Sequence, residues 1–111
     1  MQNYTIIETI PFEKKSLGLP TFEQERVERF VIQIREKGAL VGKPLSGLTF
    51  FREKKFNGNR MYFLCYEEWR AILLVAIGGK KEQSRTIEDI KRLLPEYRQY
   101  VHQKLTEKRL L

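Results

Sequence analysis

The side chains best suited to chemistry lie in one ten-residue stretch, FREKKFNGNR, at positions 51–60. Four of its residues are cations: Arg52, Lys54, Lys55 and Arg60. Its Asn57-Gly58 pair stands between two runs of strand-forming residues, which is the strongest short signal for a β-hairpin. Guanidinium and ammonium groups both bind phosphate, and the guanidinium does so as a planar fork. The stretch therefore indicates either a solvated hairpin tip or a phosphate-binding site.

The length of the hairpin loop decides which of these cations share a face of the sheet, because side chains alternate along a strand. A two-residue loop puts Lys55 and Arg60 on one face and the other two cations on the opposite face. A three-residue loop puts four candidate side chains together: Arg52, Lys54, Arg60 and Tyr62. Only the second register gives a compact four-residue site, and the sequence leaves both open.

The charge of the chain is strongly positive and uneven. The 111 residues carry a net charge of +7, from 21 Lys and Arg against 14 Asp and Glu. Residues 1–51 hold 7 of these cations and 6 of the anions, whereas residues 52–111 hold 14 and 8. An excess confined to one half indicates a basic face that binds a polyanion, either a nucleic acid or a very acidic protein.

The scarcity of cysteine and histidine excludes several kinds of site. Cys65 is the only cysteine, so no internal disulfide forms, and with His102 as the only histidine the usual zinc site is excluded. Cys65 lies in an apolar run and is predicted to be a buried thiol, and His102 is predicted to be an exposed helix residue. No cofactor motif, signal pattern or membrane-spanning run is present. We therefore expect a cytoplasmic protein without cofactor or metal.

The pattern of apolar residues predicts one α+β domain over residues 1–111, in the order β-α-β-β-β-α. The predicted strands span residues 3–10, 48–56, 59–66 and 69–77 and form a small, mostly antiparallel sheet packed against helices. The last of them is continuously apolar, which indicates burial on both faces. The segment KKSLGLP, residues 14–20, is predicted to be a loop or short turn, and the segment 39–47 a connector.

Two helices complete the predicted fold. The first runs over residues 21–37, with Thr21 as its N-cap and Gly38 at its end. The second begins with Thr86 as its N-cap and is broken near Leu94, because Pro95 cannot continue the hydrogen-bond ladder.

These elements resemble a known family. The segment PLSGLTFFREKKFNGNRMYFLCYEEWRAILLVAIGGKKEQ, followed by IEDIKR, is similar to the RelE/ParE superfamily of bacterial toxins, and closest to its RelE- and HigB-like addiction-module killer proteins. The resemblance covers about residues 44–100 and rests on the order and spacing of several short elements. These are Leu45 with Gly47, Arg52 with Arg60 after the turn, Gly79-Lys80-Lys81, and Asp89-Ile90.

The resemblance implies a ribosome-dependent messenger-RNA endonuclease that is held inactive by a bound antitoxin. A cluster of cations would promote attack of a ribose 2′-OH on the adjacent phosphate. The residues that match the family's catalytic positions are Arg52, Lys54, Arg60 and Lys81. Further contacts to RNA would come from Lys55, Tyr62, Lys80 and Arg85. RelE carries a tyrosine where this sequence has Ile87, and Tyr97 could replace it only if the last helix folded back.

Two other functions remain open. On the same fold, ParE-like proteins poison DNA gyrase and lack the ribonuclease cluster. The basic face could also belong to a non-catalytic nucleic-acid-binding module, which would bind with a steep dependence on salt and cleave nothing.

Overall fold

The computed structural model describes residues 3–111, which form a five-stranded sheet with two helices on each face. The strands are β1 (Thr5–Glu8), β2 (Lys43–Leu45), β3 (Leu48–Phe56), β4 (Asn59–Tyr66) and β5 (Ala71–Gly79). The helices are α1 (Ile10–Leu17), α2 (Thr21–Lys37), α3 (Gln83–Arg92) and α4 (Leu94–Glu107). Short 3₁₀ turns occupy Gly38–Leu40, Glu67–Trp69 and Lys80–Glu82. The predicted α+β class is confirmed.

The strands lie in the order β1-β5-β4-β3-β2. Only β1 is parallel to its neighbour, β5, and the remaining three pairs are antiparallel. Strand β5 therefore lies between β1 and β4 with helices on both faces, and its residues Ala71 to Val75 are all buried. This confirms the prediction made from its continuous apolar run, although the strand begins and ends two residues later than predicted.

Alternation along the strands divides the core into two layers. On one face, α1 and α2 pack Phe12, Val27 and Ile34 against side chains of β4 and β5 such as Phe63 and Leu74. On the other face, α3 and α4 supply Ile90, Val101 and Leu105, which pack against strand residues that include Phe51, Tyr62 and Leu73. A side chain of the hairpin β3–β4 therefore faces one helix pair or the other according to its position in the alternation.

The N-terminal region differs from the prediction, since residues 3–10 do not form one long strand followed by a loop. Strand β1 ends at Glu8, and α1 follows where a loop was predicted. The Thr9 hydroxyl accepts a hydrogen bond from the Phe12 backbone N–H at 3.1 Å and caps this helix. Pro11 lies in its first turn, where the missing N–H is tolerated. Pro11 was taken to mark the end of a strand, but it is the second residue of a helix.

The region after α2 holds a further strand, β2, that was predicted to be connector. It is only three residues long and joins β3 through a tight turn in which Ser46 and Gly47 have φ values of 53° and 70°. The end of α2 at Gly38 is confirmed. Gly38 has φ 55°, and a Cβ there would lie 2.4 Å from the Tyr4 ring, so no other residue fits without displacing that ring.

The helix starts were predicted less well than the helix ends. Helix α2 begins at the predicted residue, but Pro20 is its N-cap and Thr21 is its first helical residue. Helix α3 begins at Gln83, so Thr86 lies inside it and is not a cap. The break is confirmed: α3 ends at Arg92, and Pro95 lies in the first turn of α4.

Candidate functional site

The hairpin has a two-residue loop. Phe56 pairs with Asn59, and Asn57 and Gly58 have φ values of 46° and 78°. Two consecutive positive φ values give the turn twist that fits a tight antiparallel hairpin. Lys55 therefore pairs with Arg60 and shares a face with it. The structure does not bring together the four-residue set expected from a three-residue loop, namely Arg52, Lys54, Arg60 and Tyr62.

Arg52 lies on the opposite face, and its guanidinium binds backbone carbonyl groups. It donates three hydrogen bonds to backbone carbonyls: Nε to Val41 at 2.8 Å, Nη1 to Thr49 at 3.0 Å and Nη2 to Gly42 at 3.0 Å. Arg52 is also 9% exposed. These contacts hold the segment before β2 against β3, which is a structural task.

Lys54 is likewise on the face of α1 and α2. Its ammonium lies 5.1 Å from the centre of the Phe30 ring of α2, a cation–π distance. Both cations that match the family's basic pair are thus separated from Arg60 by the thickness of the sheet.

Arg60 belongs to a buried polar cluster on the face of α3 and α4. Its Nε lies 3.8 Å from Glu53 Oε1, and Lys43 Nζ lies 3.7 Å from the same oxygen. Gln83, at the start of α3, donates a hydrogen bond to Glu53 Oε2 at 2.9 Å. The Tyr62 ring belongs to the same face, because Tyr62 pairs with Glu53 across the hairpin. One carboxylate therefore joins β2, β4 and α3.

The Glu53–Arg60 part of this cluster is nearly closed to solvent, whereas Lys43 is largely exposed. Glu53 is 1% exposed and Arg60 7%. Among the described residues, Glu53 Oε1, Arg60 Nε and the Tyr62 hydroxyl are buried without a hydrogen-bond partner. Tyr62 is fully buried, so its ring offers no face on which an RNA base could stack. Burial, with the Glu53 charge second, raises the pKa of Tyr62 to about 12, so the phenol keeps its proton at neutral pH.

The first turns of α3 lie over this cluster. Gln83 contacts Glu53, as described above, and the Thr86 hydroxyl lies 3.9 Å from the position that a Cβ of Gly78 would take. Gly78 is the residue of β5 that pairs with Arg60. The first turns of α3 therefore lie beside two neighbours of Arg60, namely Glu53 and Gly78.

Exposed cations surround the same end of the sheet. Asn59 pairs with Gly79, so the hairpin loop and the chain leaving β5 lie side by side. Four exposed side chains follow from this placement, and we call them the hairpin-end cations: Lys55, Lys80, Lys81 and Arg85. They were all named from the sequence, and they share this end of the sheet with the exposed acidic residue Glu82.

The structure places both Ile87, which stands where RelE has a tyrosine, and Tyr97, its possible replacement. Ile87 is partly buried and packs against the core of α3 and α4, so it has a place in the apolar layer. Tyr97 packs against that core too and lines a groove with Ile10 and Pro11. The last helix does not fold back to carry Tyr97 to the hairpin.

Glu53 and Gln83 were missed by the sequence analysis. Glu53 is the only acidic residue between the hairpin cations, and that isolation was the available signal. The predictions for Cys65 and His102 are confirmed: the first is a buried free thiol and the second an exposed residue of α4. Within residues 3–111, no helix is both long and apolar enough to span a bilayer.

Sequence comparison finds nothing: no protein-family model and no curated protein matches the chain. Structure comparison does. The isolated E. coli RelE toxin matches with a TM-score of 0.64 at 16% identity, over 81% of this chain and 98% of that one. The chain has the RelE fold. A chain of the intact E. coli RelBE toxin–antitoxin complex gives 0.63 at 15% identity, covering 68% of this chain and 95% of that one.

A third match to the RelE fold comes from the RelBE2 toxin–antitoxin complex of Mycobacterium tuberculosis. Its TM-score is 0.61 at 18% identity, and it covers 72% of this chain and 94% of that one. The RelE-like fold that the resemblance implied is therefore confirmed. The low identities limit this likeness to the RelE fold itself.

Proposed function

We propose that the protein is the toxin of a toxin–antitoxin pair and that it cleaves messenger RNA on the ribosome. The observation that carries the proposal is a RelE fold with the hairpin-end cations gathered at one end of its sheet. Two of the similar structures are complexes of a toxin with its antitoxin. The partner of this chain would be an antitoxin protein, and the site of action would be the cytoplasm, where ribosomes translate. The net charge of +7 suits both ribosomal RNA and an acidic partner.

The proposed reaction is attack of a ribose 2′-OH on the adjacent phosphorus. A basic group takes the 2′-OH proton, the 2′ oxygen bonds to phosphorus, and the 5′ oxygen leaves with a proton from a donor. Arg60 and Lys55 share a face, so their side chains can stabilise the negative charge that builds on the phosphoryl oxygens. Lys81, in the turn after β5, is the third cation of this catalytic set. Lys80 and Arg85 bind the RNA backbone on either side of the reacting phosphate. In this proposal Lys55 takes the place that the resemblance gives to Lys54.

Access to Arg60 is part of the proposal, because the arginine is 7% exposed. The exposed cations meet the RNA backbone first. A shift of the first turn of α3, which the Gln83–Glu53 hydrogen bond holds down, then opens Arg60 to a phosphate. Among residues 3–111, one side-chain hydrogen bond links that turn to the cluster, and the opening breaks it.

The test is 5′-end mapping of a messenger RNA in a cell-free translation system, with and without ribosomes. Wild-type protein should cut at codon positions of translated RNA only. Arg60→Lys keeps a positive charge beside Glu53 but loses the planar fork, so cleavage should fall roughly 100-fold. Lys55→Gln removes a contact to the phosphate and should slow cleavage roughly tenfold, equal to about 1.4 kcal/mol of activation free energy.

Lys54→Gln is the matched control. It removes the same charge from the next residue of the same strand but from the opposite face, so cleavage should stay within about twofold of wild type. Intact translated RNA with the wild-type protein would refute the ribonuclease proposal. Equal losses in Lys54→Gln and Lys55→Gln would refute the assignment of the face.

One pair of observations favours a second candidate, ParE-like poisoning of DNA gyrase on the same fold. Arg52 is engaged by backbone carbonyls, and Ile87 stands in the core where RelE has a tyrosine. The expected ribonuclease cluster therefore lacks Arg52, and no aromatic side chain stands at position 87. Inhibition of DNA supercoiling by purified gyrase, together with intact translated RNA, would select this function. Salt-dependent RNA binding with neither activity would select the non-catalytic module.

A further inference from the structure

The buried carboxylate of Glu53 is a feature that the fold alone does not require. Its position on the face of α3 and α4 could be filled by an apolar side chain like its neighbours Phe51 and Tyr62. Burying a carboxylate costs several kcal/mol, and replacing a buried ion pair by apolar residues is often neutral or stabilising. A charged residue that is 1% exposed therefore calls for a reason other than stability.

The contacts of Glu53 fix its direction. Gln83 holds Oε2 from the side of α3 through a hydrogen bond of 2.9 Å. The other oxygen, Oε1, is thereby turned toward Arg60 Nε at 3.8 Å and Lys43 Nζ at 3.7 Å. Lys43 is largely exposed, with 56% of its side chain accessible, whereas the Arg60 side chain is 9% accessible. Arg60 is thus the buried partner of this oxygen.

The pairing occurs at one edge of the guanidinium. The atom that pairs is Nε, the nitrogen on the inner side of the group, at 3.8 Å from Glu53 Oε1. An arginine that is held at its inner edge has fewer orientations to lose when its outer edge binds an anion. Arg60 Nε and Glu53 Oε1 are both buried and make no hydrogen bond among residues 3–111, so their ion pair at 3.8 Å is the contact that faces Arg60 Nε, while Oε1 also faces Lys43.

We propose that Glu53 is a positioning residue, which orients the guanidinium of Arg60 so that its terminal amino groups are presented to a phosphate. The inference rests on the proposed ribonuclease function for the phosphate, but the orientation of Arg60 is a property of the free protein. Glu53 itself touches no substrate. Gln83 supports it by fixing the carboxylate from the opposite side.

The orientation is tested in the free protein by NMR, through hydrogen exchange at arginine Nε–H groups. The Arg60 signal is assigned by its loss in Arg60→Lys. In the wild type, its exchange should be at least roughly tenfold slower than that of exposed Arg85, and in Glu53→Gln it should accelerate by a similar factor. Lys43→Gln is the control, since it removes the exposed cation from the same oxygen and should leave Arg60 unchanged. Exchange of Arg60 as fast as Arg85 in the wild type would overturn the proposal without any variant.

Cleavage kinetics give the second readout. Glu53→Gln should lower kcat roughly tenfold with KM within about twofold, because a misdirected arginine weakens the transition state more than initial binding. If the wild type cleaves and Glu53→Gln cleaves at the same rate, the positioning role is refuted while the ribonuclease function stands. If the wild type does not cleave, the proposed function fails, and unprotected Arg60 exchange would refute the orientation separately.

Discussion

Arg60→Ala should destabilise the protein strongly through the charge that it leaves behind. The Glu53 side chain is 0% accessible, so solvent cannot replace the lost guanidinium. Removing one partner of a buried ion pair costs roughly 3–5 kcal/mol. Lys43 remains 3.7 Å from the same oxygen, which places the expected loss at the lower end, about 3 kcal/mol. For a domain of this size, that corresponds to a fall in Tm of roughly 12 °C.

A double-mutant cycle isolates this effect. In a Glu53→Gln background Arg60→Ala leaves no buried carboxylate without its partner, so it should cost no more than its lost packing, about 1 kcal/mol. The coupling free energy between the two sites is then about 2 kcal/mol. Urea unfolding followed by the fluorescence of the single tryptophan, Trp69, measures all four proteins. Arg85→Ala, an exposed substitution, is the control and should change the free energy of unfolding by less than about 0.5 kcal/mol.

A coupling below about 0.5 kcal/mol would show that the pair contributes nothing in solution, and the account of the buried cluster would then be wrong. The same measurement governs how activity data are read. A loss of cleavage in Arg60→Ala is evidence about chemistry only after the fraction of folded protein is known. Arg60→Lys is the better variant for that purpose because it leaves a cation beside Glu53.

Three further changes test other parts of the structure. Tyr62→Phe removes a buried hydroxyl that has no partner among the described residues, so it should stabilise the protein by about 1 kcal/mol in urea unfolding, and a loss would mean that the hydroxyl is bonded. Gly42→Ala should lower the free energy of unfolding by well over about 2 kcal/mol, because a Cβ there would lie 2.3 Å from the Glu53 carbonyl oxygen. A Cβ at Gly58 would meet no atom, so Gly58→Ala should cost only the strain of the left-handed backbone, about 1–2 kcal/mol. Burial raises the pKa of Cys65 to about 12, so alkylation by iodoacetamide at pH 8 should be slow until the protein is unfolded, and rapid labelling would contradict its burial.

The elements that could be predicted from the sequence are those whose signals are local. The Asn57-Gly58 turn defines both of its strands, and the observed ranges of β3 and β4 agree with the prediction to the residue. The apolar stripe of helix α2 is long enough to be recognised in the sequence. The helix ends at Gly38, where the backbone requires a positive φ. Strand β2 and helix α1 were missed because each is short and takes its stability from the sheet that it contacts.

The site was predicted in composition but not in arrangement. The hairpin-end cations were named from the sequence, since charge beside a turn is visible there. Glu53 was not, because an isolated acidic residue among cations is normally solvated, and its burial depends on three partners from three elements. One of them, Gln83, is 30 residues away in the chain, so no local pattern reports the contact.

Lys54 and Lys55 show why register matters more than spacing at this site. The resemblance rests on the order of motifs along the chain, and it assigns Lys54 to the catalytic set together with Arg52. The two-residue turn fixes the pairing of Lys55 with Arg60, so the alternation of the strand sends both family-matched cations to the face of α1 and α2. There one is engaged by backbone carbonyls and the other lies over a phenylalanine ring. A site that depends on the face must therefore be built from Arg60 and Lys55. Lys54→Gln and Lys55→Gln change the net charge equally on the same strand, and Lys54→Gln also removes the contact with Phe30, so a greater loss of cleavage in Lys55→Gln reports the face on which the charge acts.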